Sequence, residues 1–299
     1  MTDVRIGVIG GSGFYQMEGL TDVVSRWVET PFGDTTDAFT IGTLEGERVA
    51  FLPRHGAGHR FSPTELPVKA AIWAFKEIGV EFIISVSAVG SLRERIAPLD
   101  IVIPDQLIDR TRNRASTFFG EGIVAHVGMA DPFCPHLAET IFHAATETEA
   151  TIHRGGTLVV IEGPAFSTRA ESELYRQWGA DIIGMTALPE AKLAREAEIC
   201  YATIACCTDY DVWHLSEEDV TVEMVVQNLM RNVETAKQVV RGAVQHLPQR
   251  GGCPCVNALQ DAIITNPESV PRERKQVLRP IIGRYMPLDL TTAEDKDQA

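Results

Sequence analysis

Ala202-Thr203-Ile204-Ala205-Cys206-Cys207, running directly into Thr208-Asp209-Tyr210-Asp211-Val212-Trp213, decides how the chain is read. A short apolar run of this length reads as a buried strand. In an open α/β sheet ligands collect at the carboxyl ends of the strands, so acids at such an exit are placed to touch one. In extended conformation Asp209 and Asp211 point to the same side. A surface turn with two solvated acids is the competing reading of Asp-x-Asp taken alone.

Working outward, further strand patterns run from Arg5 to Ile9, Arg48 to Leu52, Phe82 to Ala88, Asp100 to Pro104, Thr157 to Ile161 and Asp181 to Met185. Between them Val68, Ala71, Ile72, Phe75 and Ile78 fall on one helical face, as do Ala170, Leu174 and Trp178. Val222, Val225, Val226, Leu229, Val233, Ala236, Val240 and Ala243 mark a long amphipathic helix, expected to start at Ser216 with Glu218 and Asp219 in its first turn. Strands alternating with helices read as α/β with a central sheet. From about residue 248, Pro248, Gly251, Gly252, Pro254, Pro267, Pro271, Pro280 and Pro287 break the periodicity. The expectation is one domain over 1–247 with a 248–299 extension packed on it, disordered from Thr291 to Ala299.

The chain has 299 residues, enough to bury a full core, and 41 acidic against 27 basic side chains, a net charge of −14. That balance argues against a nucleic-acid or anionic-membrane surface and requires local arginine or lysine for any anionic ligand. No apolar stretch is long enough to span a bilayer, and the first residues run into a strand pattern without a signal-peptide region, so a cytoplasmic location is expected. Among the six cysteines, Cys200, Cys206 and Cys207 read as buried thiols. Cys253-Pro254-Cys255 reads as an exposed free-thiol loop rather than a redox or metal site, because no second Cys/His pair lies nearby in sequence. No metal and no cofactor are expected.

Gly10-Gly11-Ser12-Gly13 follows the first strand and is either a tight turn or an anion cradle. It lacks the G-x-G-x-x-G spacing of a dinucleotide site. Pro53-Arg54-His55-Gly56 follows the second strand, and arginine can clamp phosphate bidentately. Small hydroxyls appear again in Ser85-Val86-Ser87-Ala88-Val89-Gly90-Ser91. Each group alone has an ordinary structural reading; on three strand ends together they suggest a composite site for one tetrahedral anion.

Here a resemblance enters. These motifs, together with Glu162-Gly163-Pro164-Ala165-Phe166-Ser167-Thr168-Arg169, Gly184-Met185-Thr186 and Ala187-Leu188-Pro189-Glu190, resemble the trimeric purine nucleoside phosphorylases, in order, from about residue 4 to about 247. The resemblance implies a single α/β domain with a central mixed β-sheet flanked by helices. It also implies phosphorolysis of 5′-methylthioadenosine, with inorganic phosphate as co-substrate, in a homotrimer or a dimer of trimers. It assigns phosphate binding to Ser12, Arg54, His55, Ser87 and Thr186, with Ala88 beside ribose and phosphate. Met185 would lie under the ribose, Phe166 and Ser167 would line the purine site, and Asp209 and Asp211 would be the catalytic pair reading the purine. His126 would cover the 5′ end of a neighbouring subunit's substrate. Pro67-Val68-Lys69-Ala70-Ala71 departs from the polar run that many members carry there.

The chemistry fits these residue types. Breaking an N-glycosidic bond leaves positive charge on the ribose and negative charge on the purine, which calls for an anion near C1′ and a proton donor at N7. A protonated Asp209 can supply that proton and Asp211 can accept from a 6-amino group, favouring adenine over 6-oxopurines. Val222, Val225 and Val226 offer a 5′-hydroxyl no partner, so a thioether suits them better. A broader purine nucleoside phosphorylase, a hydrolytic nucleosidase, a nicotinamide-dependent oxidoreductase and a non-catalytic nucleoside-binding module are the alternatives.

Overall fold

The site is positioned by one long parallel ladder at the centre of an 11-stranded sheet. The structure, a computed structural model, describes residues 4–11, 17–214 and 222–288. Its strands are β1 (Ile6–Gly10), β2 (Thr21–Arg26), β3 (Phe39–Leu44), β4 (Glu47–Pro53), β5 (Phe82–Ser91), β6 (Ile101–Ile103), β7 (Gln106–Arg110), β8 (Ile152–Arg154), β9 (Thr157–Ile161), β10 (Ile182–Gly184) and β11 (Cys200–Asp209). The helices are α1 (Val68–Glu77), α2 (Pro135–Thr146), α3 (Arg169–Gln177), α4 (Glu190–Glu196), α5 (Val222–Gln245), α6 (Arg272–Val277) and α7 (Arg279–Ile282).

Strands β4, β1, β5 and β11 run parallel and side by side, so their carboxyl ends share one edge. Both faces of such a sheet are covered, which is why β1 and β11 are buried along their whole length and read as continuous apolar runs. The register sets Ala205 opposite Ser87 and Asp209 opposite Gly90. β10 pairs antiparallel with the last residues of β5, making the sheet mixed. Its exit therefore turns back toward the middle of β5 instead of away from it.

One apolar layer includes Ile72, Phe75 and Ala74 of α1 with Leu193 and Ala194 of α4. The other packs Leu137 and Ile141 of α2 and Ala236, Val240 and Ala243 of α5 against the opposite face. Residues of the 248–288 segment join the first layer through Leu259, Val270, Leu278, Ile281 and Ile282. Ser216, Glu218, Asp219 and the 291–299 tail lie outside the described residues.

Three expectations are corrected. Leu174 and Trp178 sit on an apolar stripe of α3 that stays exposed, because that helix turns Ser172 and Tyr175 inward instead. The edge strands β2, β7 and β8, and β3 between β2 and β4, absent from the sequence reading, complete the sheet. Cys253 and Cys255 are buried, not exposed, because the turn over Pro254–Asn257 folds under the sheet against Cys134 and Cys200.

Candidate active site

At the exit of β11 the ladder with β5 has a bulge between Cys207 and Asp209. The strand ends there, Tyr210 takes φ −93 and ψ 18, and Asp211 opens a 3-10 turn with φ +51. The two acids are thus not held together by extended alternation, as the sequence suggested. Asp209 Oδ1 instead accepts the Asp211 amide at 2.8 Å, an Asx-type turn that fixes both. Thr208 Oγ1 donates to Asp209 Oδ2 at 2.7 Å. A Cβ on Gly90 would lie 2.8 Å from Asp209 Oδ1, so that position must be glycine for the carboxylate to sit where it does. Helix α5 crosses the bulge, and Asn228 and Asn232, one turn apart, donate to the Thr208 and Cys207 carbonyls at 2.7 and 3.0 Å.

Both acids are buried. Burial raises the Asp209 carboxyl above its ordinary value, against the hydrogen bonds from Thr208 and the Asp211 amide, which lower it. Burial also raises Asp211, and the neighbouring Asp209 charge adds to the rise. Among the described residues, Asp211 Oδ2 and Ser167 Oγ are buried without a hydrogen-bond partner. The Ser172 hydroxyl lies beside Asp211 but outside hydrogen-bond geometry. Buried polar atoms are ordinarily paired, so orphaned oxygens here mark where a ligand's donors would go. Ser167 immediately precedes Thr168, whose capping box with Glu171 fixes the start of α3. Arg169 then ties that helix to the Val212 carbonyl at 2.9 Å. Phe166 is exposed at the same corner.

Toward the middle of β5, Thr186 Oγ1 donates to Ser87 Oγ at 2.8 Å, because antiparallel β10 delivers Gly184-Met185-Thr186 back over β5. Ala88 is half-buried in the same strand. The Met185 carbonyl accepts from Arg114 Nη1 at 2.7 Å, and Met185 packs against Gly163.

Arg54 is set deeper than a surface phosphate clamp. Its Nε donates to Glu190 Oε1 at 2.7 Å, Nη1 to the Val86 carbonyl at 2.7 Å, and Nη2 to Ser85 Oγ at 2.6 Å and Glu190 Oε2 at 3.3 Å. Glu190 also accepts from Tyr201 Oη at 2.7 Å. Burial pushes the Glu190 carboxyl up, but the Arg54 charge and these hydrogen bonds outweigh it and hold the acid below its usual range. One Nη1 N–H remains for an anion. His55 donates Nδ1–H to the Phe61 carbonyl at 2.8 Å and stacks on His59 at 4.1 Å. Burial, followed by the Arg54 and His59 charges, brings His55 down to about 4. The neutral ring with Nδ1 committed presents Nε2 as an acceptor, suited to a phosphate O–H.

Ser12 lies outside the described residues, as do the side chains of Val222 and Val225. Val226 is 49% exposed on α5. His126 is exposed, its backbone tied to the Ala262 carbonyl at 2.9 Å. A cavity of about 220 Å³ opens beside the start of α1, lined by Lys69, Arg114 and Pro67 among others, and none of the purine-end residues borders it. Sequence reasoning gave no role to Glu190, Tyr201, Asn228 or Asn232. Asparagines four apart on an otherwise apolar helical stripe were the available signal for the last two.

A mixed sheet with acids, hydroxyls and a buried guanidinium gathered at the carboxyl edge of its parallel strands defines a nucleoside phosphorylase fold. Residues 5–245 match the phosphorylase superfamily, and the chain belongs to it. The S-methyl-5′-thioadenosine phosphorylase of Geobacter sulfurreducens is 57% identical over 282 residues, 94% of this chain and 99% of that one. A methylthioadenosine phosphorylase crystal structure from an antarctic soil metagenomic library superposes with TM-score 0.90 at 50% identity, covering 94% of this chain and 99% of the other. The methylthioadenosine phosphorylase of Schistosoma mansoni in complex with adenine gives TM-score 0.78 at 37% identity, covering 82% and 92%.

Proposed function

We propose that the protein is a pentosyltransferase that cleaves 5′-methylthioadenosine with inorganic phosphate, yielding adenine and 5-methylthioribose 1-phosphate. The observation that carries this reading is the buried acid pair with its unpartnered Asp211 Oδ2 and Ser167 Oγ. An adenine brings donors and a ring nitrogen to that corner, whereas a 6-oxo group would face Asp211 with lone pair against lone pair. The names of the relatives support the 5′-methylthio substrate.

In the reaction a phosphate oxygen attacks C1′ as the C1′–N9 bond breaks and its electron pair moves into the purine. Asp209, whose carboxyl burial raises above its ordinary value, gives its proton to N7. The proton lost by the phosphate on forming the ester balances the one Asp209 donates, and His55 Nε2 accepts it. Ser87, Thr186, Ser12 and the remaining N–H of Arg54 hold the anion, and Ala88 and Met185 border the ribose. Phe166 packs on the base, and Val222, Val225 and Val226 line the 5′ side. No cofactor takes part.

The working unit is a homotrimer in the cytoplasm. In support, the α3 stripe of Leu174 and Trp178, with Val124 and Ile264 near His126, leaves large apolar side chains exposed on a single chain. Among the described residues no helix is long and apolar enough to cross a membrane.

The experiment is a substrate panel of methylthioadenosine, adenosine and inosine, each with and without phosphate. Phosphate-dependent release of adenine, fastest from methylthioadenosine, is expected. Phosphate-independent release would make the protein a nucleosidase, and a preference for inosine would remove the role given to Asp211.

A further inference from the structure

The cysteines lie at the other end of β11. Cys134, Cys200, Cys253 and Cys255 bring their four sulphur atoms within 4.8 Å of one another, with 3.3 Å between Cys134 and Cys253 and 3.5 Å between Cys200 and Cys253. All four are buried, at 1%, 0%, 4% and 1% exposure. They come from three separate segments. Cys134 is the N-cap of α2, Cys200 opens β11, and Cys253 and Cys255 flank Pro254 in the C-terminal segment.

Four thiolates about 2.3 Å from one tetrahedral ion stand about 3.8 Å apart. That spacing lies between the shortest separations and the 4.8 Å within which the whole quartet falls. We infer that these four cysteines form a closed, structural site for a thiolate-binding divalent cation, zinc in the first instance. The inference runs against the expectation of no metal and does not depend on the proposed reaction.

Sulphur ligation in a tetrahedral S4 set selects zinc or iron over the oxygen-seeking magnesium and calcium. On binding, each thiol loses its proton to solvent and donates a sulphur lone pair; four protons leave per ion and nothing is oxidised. One feature of the surroundings suits the resulting negative centre. Cys134 stands at the N-cap position of a 12-residue helix, where the helix dipole favours negative charge. Four protein ligands leave no open coordination position, so the ion supplies no catalysis. Cys200 and Asp209 are opposite ends of one strand, about 30 Å apart at the usual rise per residue. What the ion does is fasten residues 253–255 to the start of β11 and the start of α2, pinning the C-terminal segment whose later residues, α7 included, complete the core over α1.

The test uses the full chain, expressed in zinc-supplemented medium and purified without metal-affinity resin under anaerobic, reducing conditions. Elemental analysis is expected to give about one zinc or iron per chain. Exchange into cobalt(II) is expected to give the sulphur-to-metal charge-transfer and tetrahedral ligand-field bands of a thiolate site. Cys253→Ser should cut bound metal about tenfold or more, while Cys206→Ser, a buried cysteine outside the quartet, should leave it unchanged. If Cys253→Ser fails to fold, the wild-type metal content and cobalt spectrum still decide. Folded wild-type protein with less than about 0.1 ion per chain and no cobalt–thiolate spectrum would overturn the site. So would disulfides joining members of the quartet in the freshly isolated chain, found by non-reducing peptide mapping.

Discussion

At the exit of β4, Arg54 directs four of its five N–H groups at Glu190, Ser85 and the Val86 carbonyl, whereas at the exit of β11 the Asp211 Oδ2 and Ser167 Oγ atoms are buried with no partner among the described residues. Both regions border the same sheet edge and both are buried. The first is satisfied within the protein and offers an anion one remaining N–H and the Nε2 of a neutral His55. The second leaves two buried oxygens unpaired among the described residues. The difference separates two kinds of functional residue: one that holds the shape of a site, and one that reads what enters it. It also changes what a mutation at Arg54 measures, since its loss would leave Glu190 charged and buried.

The sharpest way to break that contrast is Glu190→Gln. Removing one charge of a buried pair strands the other, so a loss of about 3–5 kcal/mol is expected by denaturant unfolding. A loss under about 1 kcal/mol would mean that Arg54 is no keystone and is free to serve the anion.

Asp209→Asn tests the other region. Turnover of methylthioadenosine should fall about a hundredfold or more with stability nearly kept, the mark of a missing positioned acid. Unchanged turnover would take Asp209 out of the chemistry. Because burial raises this carboxyl, wild-type activity should decline as pH rises through its folded value, and that limb should be missing in the variant.

Asn232→Ala, on the α5 turn over the bulge, should cost about 1 kcal/mol, the net worth of one hydrogen bond to the Cys207 carbonyl. If the bulge is what presents Asp209, turnover should drop as well. A stability loss with kinetics untouched would show that the bulge holds without its asparagine.

The effect that shows only as a change with pH concerns His55. Its folded value, about 4, lies below the unfolded one, so the neutral ring's contribution is complete above about 6.5 and lost as pH falls toward 4. His55→Gln should flatten the stability profile over that window. The buried acids work in the opposite sense, losing stability as pH rises through their raised values. An unaltered profile would mean that His55 is charged in the folded protein.

How much of this was legible follows from how local each feature is. The strands of the central ladder and the α1 face announce themselves because burial on both sides leaves apolar runs and a clean helical stripe. The edge strand β2 is exposed at all six positions, so no burial pattern marks it. Asp209 and Asp211 were visible as a pair, but the bulge and the left-handed turn that set their geometry depend on Gly90 and on α5. Arg54 looked like an anion clamp because its carboxylate partner is remote in sequence. The cysteine quartet was hidden for the same reason, since spacing along the chain says nothing about Cys134 meeting Cys253.

The distance along the chain has a kinetic side. Arg54 and Glu190 are 136 residues apart, and the parallel β5–β11 ladder joins segments nearly as remote. On a ribosome making about 5–20 residues per second, β5 emerges several seconds before the strand that will lie beside it. During that interval its apolar residues have β1 on one side and an open hydrogen-bonding edge on the other, the kind of edge that invites pairing with another chain. Pairings between such distant segments form slowly. The floor of the site is therefore among the last parts of the sheet to close, and the yield of active protein in cells should respond to translation speed and chaperone supply before it responds to any change in the finished fold.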